Sequence, residues 1–113
     1  MSCIFCRIAA GEIPANKVLE NDHVVAFHDL NPHAPVHVLV IPKAHIGSVG
    51  SAGAGDAEAL GQVLLACREV AEKTGVAESG FRVALNTGPD AGQSVDHLHA
   101  HVLGGRALAW PPG

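Results

Sequence analysis

The chain is expected to fold as an α+β domain: an antiparallel sheet of about five strands, one long helix and a short N-terminal helix. Three observations predict this. Short β-branched segments recur between turn-forming residues. One long stretch, and only one, carries helical apolar periodicity. The 113 residues, 48% hydrophobic and 16% charged, suffice for a single domain, 1–113, with its own core. Strands joined by hairpin-like links, rather than alternating with helices, point to an antiparallel sheet covered on one face.

Ser2 can cap a first helix over Cys3 to Ala10, with Gly11 as its stop. Lys17–Glu20 reads as a first strand. Asn21-Asp22 makes a turn into a second, His23–His28, so the two form a hairpin. Asn31-Pro32-His33-Ala34-Pro35 must be loop, since proline removes donors and restricts its neighbours. Val36 to Ile41 is a near-continuous apolar run bounded by Pro42, the mark of a buried strand. Ser48 to Gly55 is a small-residue linker into the long helix, from about Asp56 to Thr74. There Leu60, Val63, Leu64, Cys67, Val70 and Ala71 form one stripe, and Cys67 on that stripe is read as inert packing. Phe81 to Thr87 is a further strand. Gly88 to Ser94 is a glycine-bearing loop, His97 to Leu103 the last strand, and Trp110-Pro111-Pro112-Gly113 an extended tail.

Charge and composition exclude several partners. The formal charge is −4 with only seven Lys and Arg, so no basic footprint for long nucleic acid exists. Tyrosine is absent and aromatics are scarce, which removes a base-stacking platform. No apolar run approaches the roughly 20 residues that cross a bilayer. The first residues lack a basic segment followed by a long apolar stretch, and three cysteines are no secreted disulfide framework. A reducing cytoplasm is the expected location.

The segment His97-Leu98-His99-Ala100-His101-Val102-Leu103 carries the chemistry. Strand side chains alternate faces, so three imidazoles project one way while Leu98, Ala100 and Val102 enter the core. Three accounts of this trio compete. It is a polar strand face that happens to be histidine; or a zinc site working through metal-bound water; or a nucleophilic centre in which an imidazole attacks phosphorus. The preceding loop favours the third. Backbone N–H groups near Gly88 and Gly92 can approach phosphate oxygens, and Asn86, Gln93 and Ser94 add neutral donors.

His97 to Leu103 matches the pattern His-φ-His-φ-His-φ-φ. Together with Gly92-Gln93-Ser94-Val95, Gly104-Gly105-Arg106, the tail from Trp110, Phe27-His28-Asp29-Leu30 and Val40-Ile41-Pro42-Lys43, it resembles the Hint branch of the histidine triad superfamily. The resemblance covers nearly the whole chain. It implies a HIT-like fold and hydrolysis of purine nucleoside phosphoramidates, or of aminoacyl-adenylates, to the nucleoside monophosphate. The middle histidine, His99, would attack the α-phosphorus and form a nucleotidyl-histidine intermediate. Ser94 matches the residue assisting the departing amine. Asn86, Gly92, Gln93, Val95, His101 and His37 match positions around the phosphate and nucleophile. Phe5, Ile8, Phe27, His28, Asp29 and Leu30 match the nucleoside pocket, with Asp29 toward the ribose hydroxyls. A homodimer with a continuous ten-stranded sheet is implied too. The sequence departs from the pattern at Asp96, where the best-known eukaryotic members carry tyrosine, and at His33; both bear on leaving-group preference.

Cys3-x-x-Cys6 has metal-ligand spacing, and two small thiols packing at a helix start is the competing account. The resemblance implies a structural zinc held by Cys3, Cys6, His45 and the first triad histidine, His97. Such a closed site would remove His97 from acid–base work. Two other functions stay open at this level: a dinucleoside polyphosphate hydrolase of the Fhit type, which the Gly-Gly-Arg and Trp-Pro-Pro-Gly tail disfavours, and a non-enzymatic, zinc-stabilised nucleotide-binding protein.

Overall fold

A computed structural model describes residues 3–113. Its elements are α1 (Ile4–Ala9), β1 (Lys17–Glu20), β2 (Val24–His28), β3 (Val36–Pro42), α2 (Ala57–Lys73), β4 (Phe81–Leu85) and β5 (Ala100–Gly104). All five strands join one antiparallel sheet in the order β1-β2-β3-β5-β4. The expected α+β class and hairpin therefore hold, and β5 inserts between β3 and β4 in the middle of the sheet.

Local chemistry sets the joints. The Asn21 side-chain oxygen accepts from the amides of His23 and Val24 at 2.8 and 3.0 Å, which closes the β1–β2 turn. Cys3 caps α1: its sulfur accepts from the Cys6 amide at 3.4 Å. Ser2, expected as the cap, lies outside the described residues. Before α2 a single 3₁₀ turn, Ala54–Asp56, is held by the Asp56 carboxylate, which accepts from Gly53 N–H at 2.9 Å.

Three expectations need correction. The sheet is covered on both faces, so β2 and β3 are buried almost throughout. On one face α2 packs over Val24, Val38, Val40, Leu98, Ala100 and Val102. On the other, α1 contributes Phe5 and Ile8 to a second cluster with Val25, Phe27, Leu39 and Ile41. The α2 stripe is also rotated: Val63, Ala66, Cys67, Val70 and Ala71 are buried, whereas Leu64 is 52% exposed. Alanine at position 66 lets the helix approach the sheet closely. Finally, the last strand begins at Ala100, so His97 and His99 lie in the segment leading into it. The alternation still holds in substance, because Leu98, Ala100 and Val102 all enter the α2-side core.

Candidate active site

The β3–β5 register sets Leu39 opposite His101 and Val40 opposite Ala100. Period two then puts His101 on the α1 face. His97, His99 and His101 gather there with His37 and Phe5. Phe5 meets His97 edge-on at 5.9 Å and His99 at 5.2 Å between ring centroids, and the His99 and His101 rings lie 5.1 Å apart. A residue of α1 therefore wedges against the triad.

Each triad ring has one nitrogen committed to a partner, and that commitment fixes the other. His99 Nδ1 donates to the His97 carbonyl at 2.8 Å, so in the neutral ring Nε2 carries the lone pair. His97 Nε2 donates to the Pro42 carbonyl at 2.9 Å, so its Nδ1 carries the lone pair. His37 Nδ1 accepts from the His33 amide at 3.0 Å, which puts the His37 proton on Nε2. That N–H donates to His101 Nδ1 at 2.9 Å, leaving His101 with a proton on Nε2. Neither His99 Nε2 nor His101 Nε2 has a partner among the described residues. No buried side-chain nitrogen or oxygen there lacks one. Both atoms therefore reach open space.

Burial favours the neutral form of His101, His37 and His97. Burial pushes His101 down to about 4, helped by the neighbouring His99 and His37 and opposed by Asp29. Burial also lowers His37, against the pull of Asp29, and lowers His97, against the Pro42 carbonyl. Neutral imidazole can act as a nucleophile, a directed donor or a metal ligand.

The cysteine pair and two histidines form a compact donor set. Cys3, Cys6, His45 and His97 each offer one ligand atom, all within 4.8 Å of one another. His97 Nδ1 lies 3.3 and 3.5 Å from the two sulfurs, and His45 Nδ1 lies 3.2 Å from the Cys6 sulfur. Zinc bond lengths of roughly 2.3 Å to sulfur and 2.0 Å to nitrogen imply S···N tetrahedral edges of about 3.5 Å, so the set fits a four-coordinate metal. The Pro42 carbonyl supplies the second hydrogen bond that orients a ligating imidazole. Asp29, His37 and His101 also cluster within that reach. They suit a proton better than a metal, because the His33 amide forces the His37 proton onto the nitrogen a metal would need.

Beside the triad lies an apolar cleft of about 240 Å³. Phe5, Ile8, Phe27, His28, Asp29 and Leu30, the positions the family resemblance pointed to, line it together with Ile4, Ile13, Pro14, Ala15, Asn16 and Leu39. Phe5 and Phe27 meet edge-to-face at 5.7 Å and 68° and are buried, while Leu30 is fully exposed at the mouth. Asp29 Oδ1 accepts from Asn31 N–H at 2.8 Å, and Oδ2 lies 3.4 Å from His37 Nε2.

The glycine loop is more self-contained than expected. Gly88 N–H donates to Gln93 Oε1 at 2.9 Å, and Gly92 N–H to the Pro89 carbonyl at 3.1 Å. Gln93 Nε2 donates to the carbonyls of Gly47 and Val95. Gln93 therefore braces the loop. The Ser94 hydroxyl is exposed, Asn86 is half-buried, and neither side chain has a partner among the described residues; Val95 packs on the α1-side cluster. Sequence reading missed the Pro42 carbonyl, the His33 amide and the Ile13–Asn16 wall. Backbone acceptors and loop walls leave no side-chain signature.

The sequence model of the HIT domain matches residues 10–108. The chain is 47% identical over 112 residues to a Zea mays protein named 14 kDa zinc-binding protein, covering 97% of this chain and 87% of that one. It is 46% identical over 112 residues to the Arabidopsis thaliana protein named adenylylsulfatase HINT1, covering 97% and 76%. Among solved structures, a HIT family hydrolase from Legionella pneumophila superposes with a TM-score of 0.96 at 44% identity, covering 99% of this chain and all of that one.

Proposed function

The chain belongs to the histidine triad superfamily, in its Hint branch, and from that premise we propose that it is a nucleotide hydrolase cleaving purine nucleoside phosphoramidates or aminoacyl-adenylates. One observation carries the reading: His99 Nδ1 is committed to the His97 carbonyl, Nε2 has no partner among the described residues, and Phe5, which lines the apolar cleft, packs against its ring.

The nucleoside enters the cleft, its base against Phe5, Phe27 and Ile8 and its ribose hydroxyls on the Asp29 carboxylate. This sets the α-phosphorus before His99. The Nε2 lone pair forms a bond to phosphorus as the phosphorus–nitrogen bond breaks, and the amine departs with a proton that the exposed Ser94 hydroxyl relays from solvent; with an aminoacyl-adenylate the phosphorus–oxygen bond breaks instead and the carboxylate leaves unprotonated. His101 Nε2–H donates to a phosphate oxygen and stabilises charge developing there. Water then attacks the same phosphorus, the bond to His99 breaks, and the nucleoside monophosphate leaves. Asn86, Gly92, Gln93 and Val95 shape the phosphate end of the site. The amides of Ser94 and Val95, which make no backbone bond among the described residues, add donors at this end.

Cys3, Cys6, His45 and His97 would hold structural zinc, which supplies a staple between α1 and the segment before β5. A homodimer is proposed as well, through the outer edge of β4, which pairs only with β5. The name of the Arabidopsis relative favours a second leaving group: sulfate, from an adenylyl sulfate, attacked at the same phosphorus. Turnover rates on adenosine 5′-phosphoramidate, adenylyl sulfate and a diadenosine polyphosphate test the reading. Either of the first two should exceed the third; preference for the dinucleotide would move the chain to the Fhit-type reaction.

A further inference from the structure

We propose that Arg106 and the main chain of His33 form a positioning device that holds His37, and through it His101, in the tautomer that presents an N–H to the phosphate. Its catalytic consequence rests on the hydrolase reading above; its geometry does not.

His33 is gripped from both sides. Its amide donates to His37 Nδ1 at 3.0 Å, and its carbonyl accepts from Arg106 Nη2 at 2.7 Å. Arg106 Nη1 donates to the Ala107 carbonyl at 3.0 Å, which fixes the guanidinium. The neighbouring Gly105 has φ +91°, and a Cβ there would stand 2.8 Å from Pro35 Cβ. The turn after β5 thus lies directly on the loop before β3. That loop has two prolines without amide protons, and among the described residues no other hydrogen bond reaches the main chain of residues 32–35. Arg106 and the Gly105–Pro35 contact hold the His33 amide in place, with the His33 ring 5.7 Å from the His37 ring adding a side-chain contact.

The consequence runs through two rings. With the amide in place, His37 Nδ1 must accept, its proton sits on Nε2, and His101 receives that bond and keeps its own proton on Nε2. If the His33 amide swings away, Nδ1 can take the proton. His37 Nε2 then becomes an acceptor, His101 turns its Nδ1–H toward it, and His101 Nε2 faces the phosphate with a lone pair. Asp29 Oδ2, 3.4 Å from His37 Nε2, opposes that switch in the free protein. Once its carboxylate turns to ribose hydroxyls, the His33 amide is the remaining control.

The test uses the full chain labelled with 15N-histidine, with tautomers read from nitrogen shifts and couplings beside steady-state kinetics. In the unmodified protein His37 and His101 should both be Nε2–H. Arg106→Ala should populate Nδ1–H on His37 and lower kcat roughly tenfold, with KM within about twofold. Arg106→Lys, which restores a donor to the carbonyl, should recover part of both. Gly105→Ala attacks the same contact independently and should shift the tautomers the same way. Unchanged tautomers in both Arg106→Ala and Gly105→Ala, or a loss confined to KM, would overturn the proposal. If tautomers shift as expected but the unmodified chain turns over no adenylyl substrate, the hydrolase reading fails and the positioning device stands.

Discussion

The partner on one ring nitrogen decides what the other nitrogen does, and this divides labour among chemically identical side chains. His97 is turned toward thiols, His99 toward open space with a lone pair, and His101 toward open space with a proton. His99→Ala should therefore reduce turnover by at least about a thousandfold with the fold retained, measured by steady-state hydrolysis alongside far-UV circular dichroism. The depressed His101 and His37 make a second prediction. Between the ordinary value of 6.5 and about 4, the unfolded chain binds a proton on His101 that the folded chain does not. Stability should be highest above that window and fall as pH drops through it. Urea midpoints from pH 7 to pH 5 check this, and His101→Gln should flatten the decline. A midpoint constant over that range, or rising toward acid, would contradict the burial argument.

Among the elements, the sequence made periodicity legible but not always its phase. Alternation sent Leu98, Ala100 and Val102 into the core correctly, because a period of two leaves little choice. Strand pairing was not legible at His97 and His99. There the backbone departs from the ladder, with the Leu98 amide donating to the Ile46 carbonyl and the His97 ring on Pro42. On α2 a stripe through Leu64 and one through Ala66 fit the sequence comparably, and contact with the sheet chose the smaller residue. Val70→Ala should cost about 2 kcal/mol, since Val70 is fully buried against the sheet. Glu69→Ala, one position away and exposed, should stay within about 0.5 kcal/mol. Chemical denaturation of both variants checks the burial, and Leu64→Ala, expected to cost under about 1 kcal/mol at a side chain 52% exposed, checks the phase. For α1 the thiol pair is decisive. Cys6→Ser should abolish zinc retention in metal analysis and weaken binding of a nucleoside monophosphate, because Phe5 and Ile8 ride on that helix. Unchanged affinity in the metal-free variant would detach the helix from the cleft.

At the scale of the whole molecule, the sheet order explains why the site lies where it does. β5 occupies the interior between β3 and β4, so His101 sits on a strand paired on both sides, and His37 comes from the adjacent strand. The five strands and the one long helix were legible because hairpin turns and one amphipathic stretch are local signals. The second core under α1 was not, since six helical residues carry too few positions to show which face they bury. No helix among the described residues is long and apolar enough to cross a membrane. β4 leaves one edge unpaired, with Phe81 exposed on it and Arg82 reaching the Ala109 carbonyl and the Trp110 ring. Light scattering in solution should give twice the 11.6 kDa of one chain. A monomer would overturn the proposed pairing through the β4 edge.

The most direct test is intact-protein mass spectrometry of a reaction with adenosine 5′-phosphoramidate, quenched within a turnover and followed by peptide mapping. An adenylyl group on His99, absent from His99→Ala, is the expected result. Steady turnover with no adduct, or an adduct on His97 or His101 instead, would contradict the assignment of the bare imidazole nitrogen as the group that attacks phosphorus.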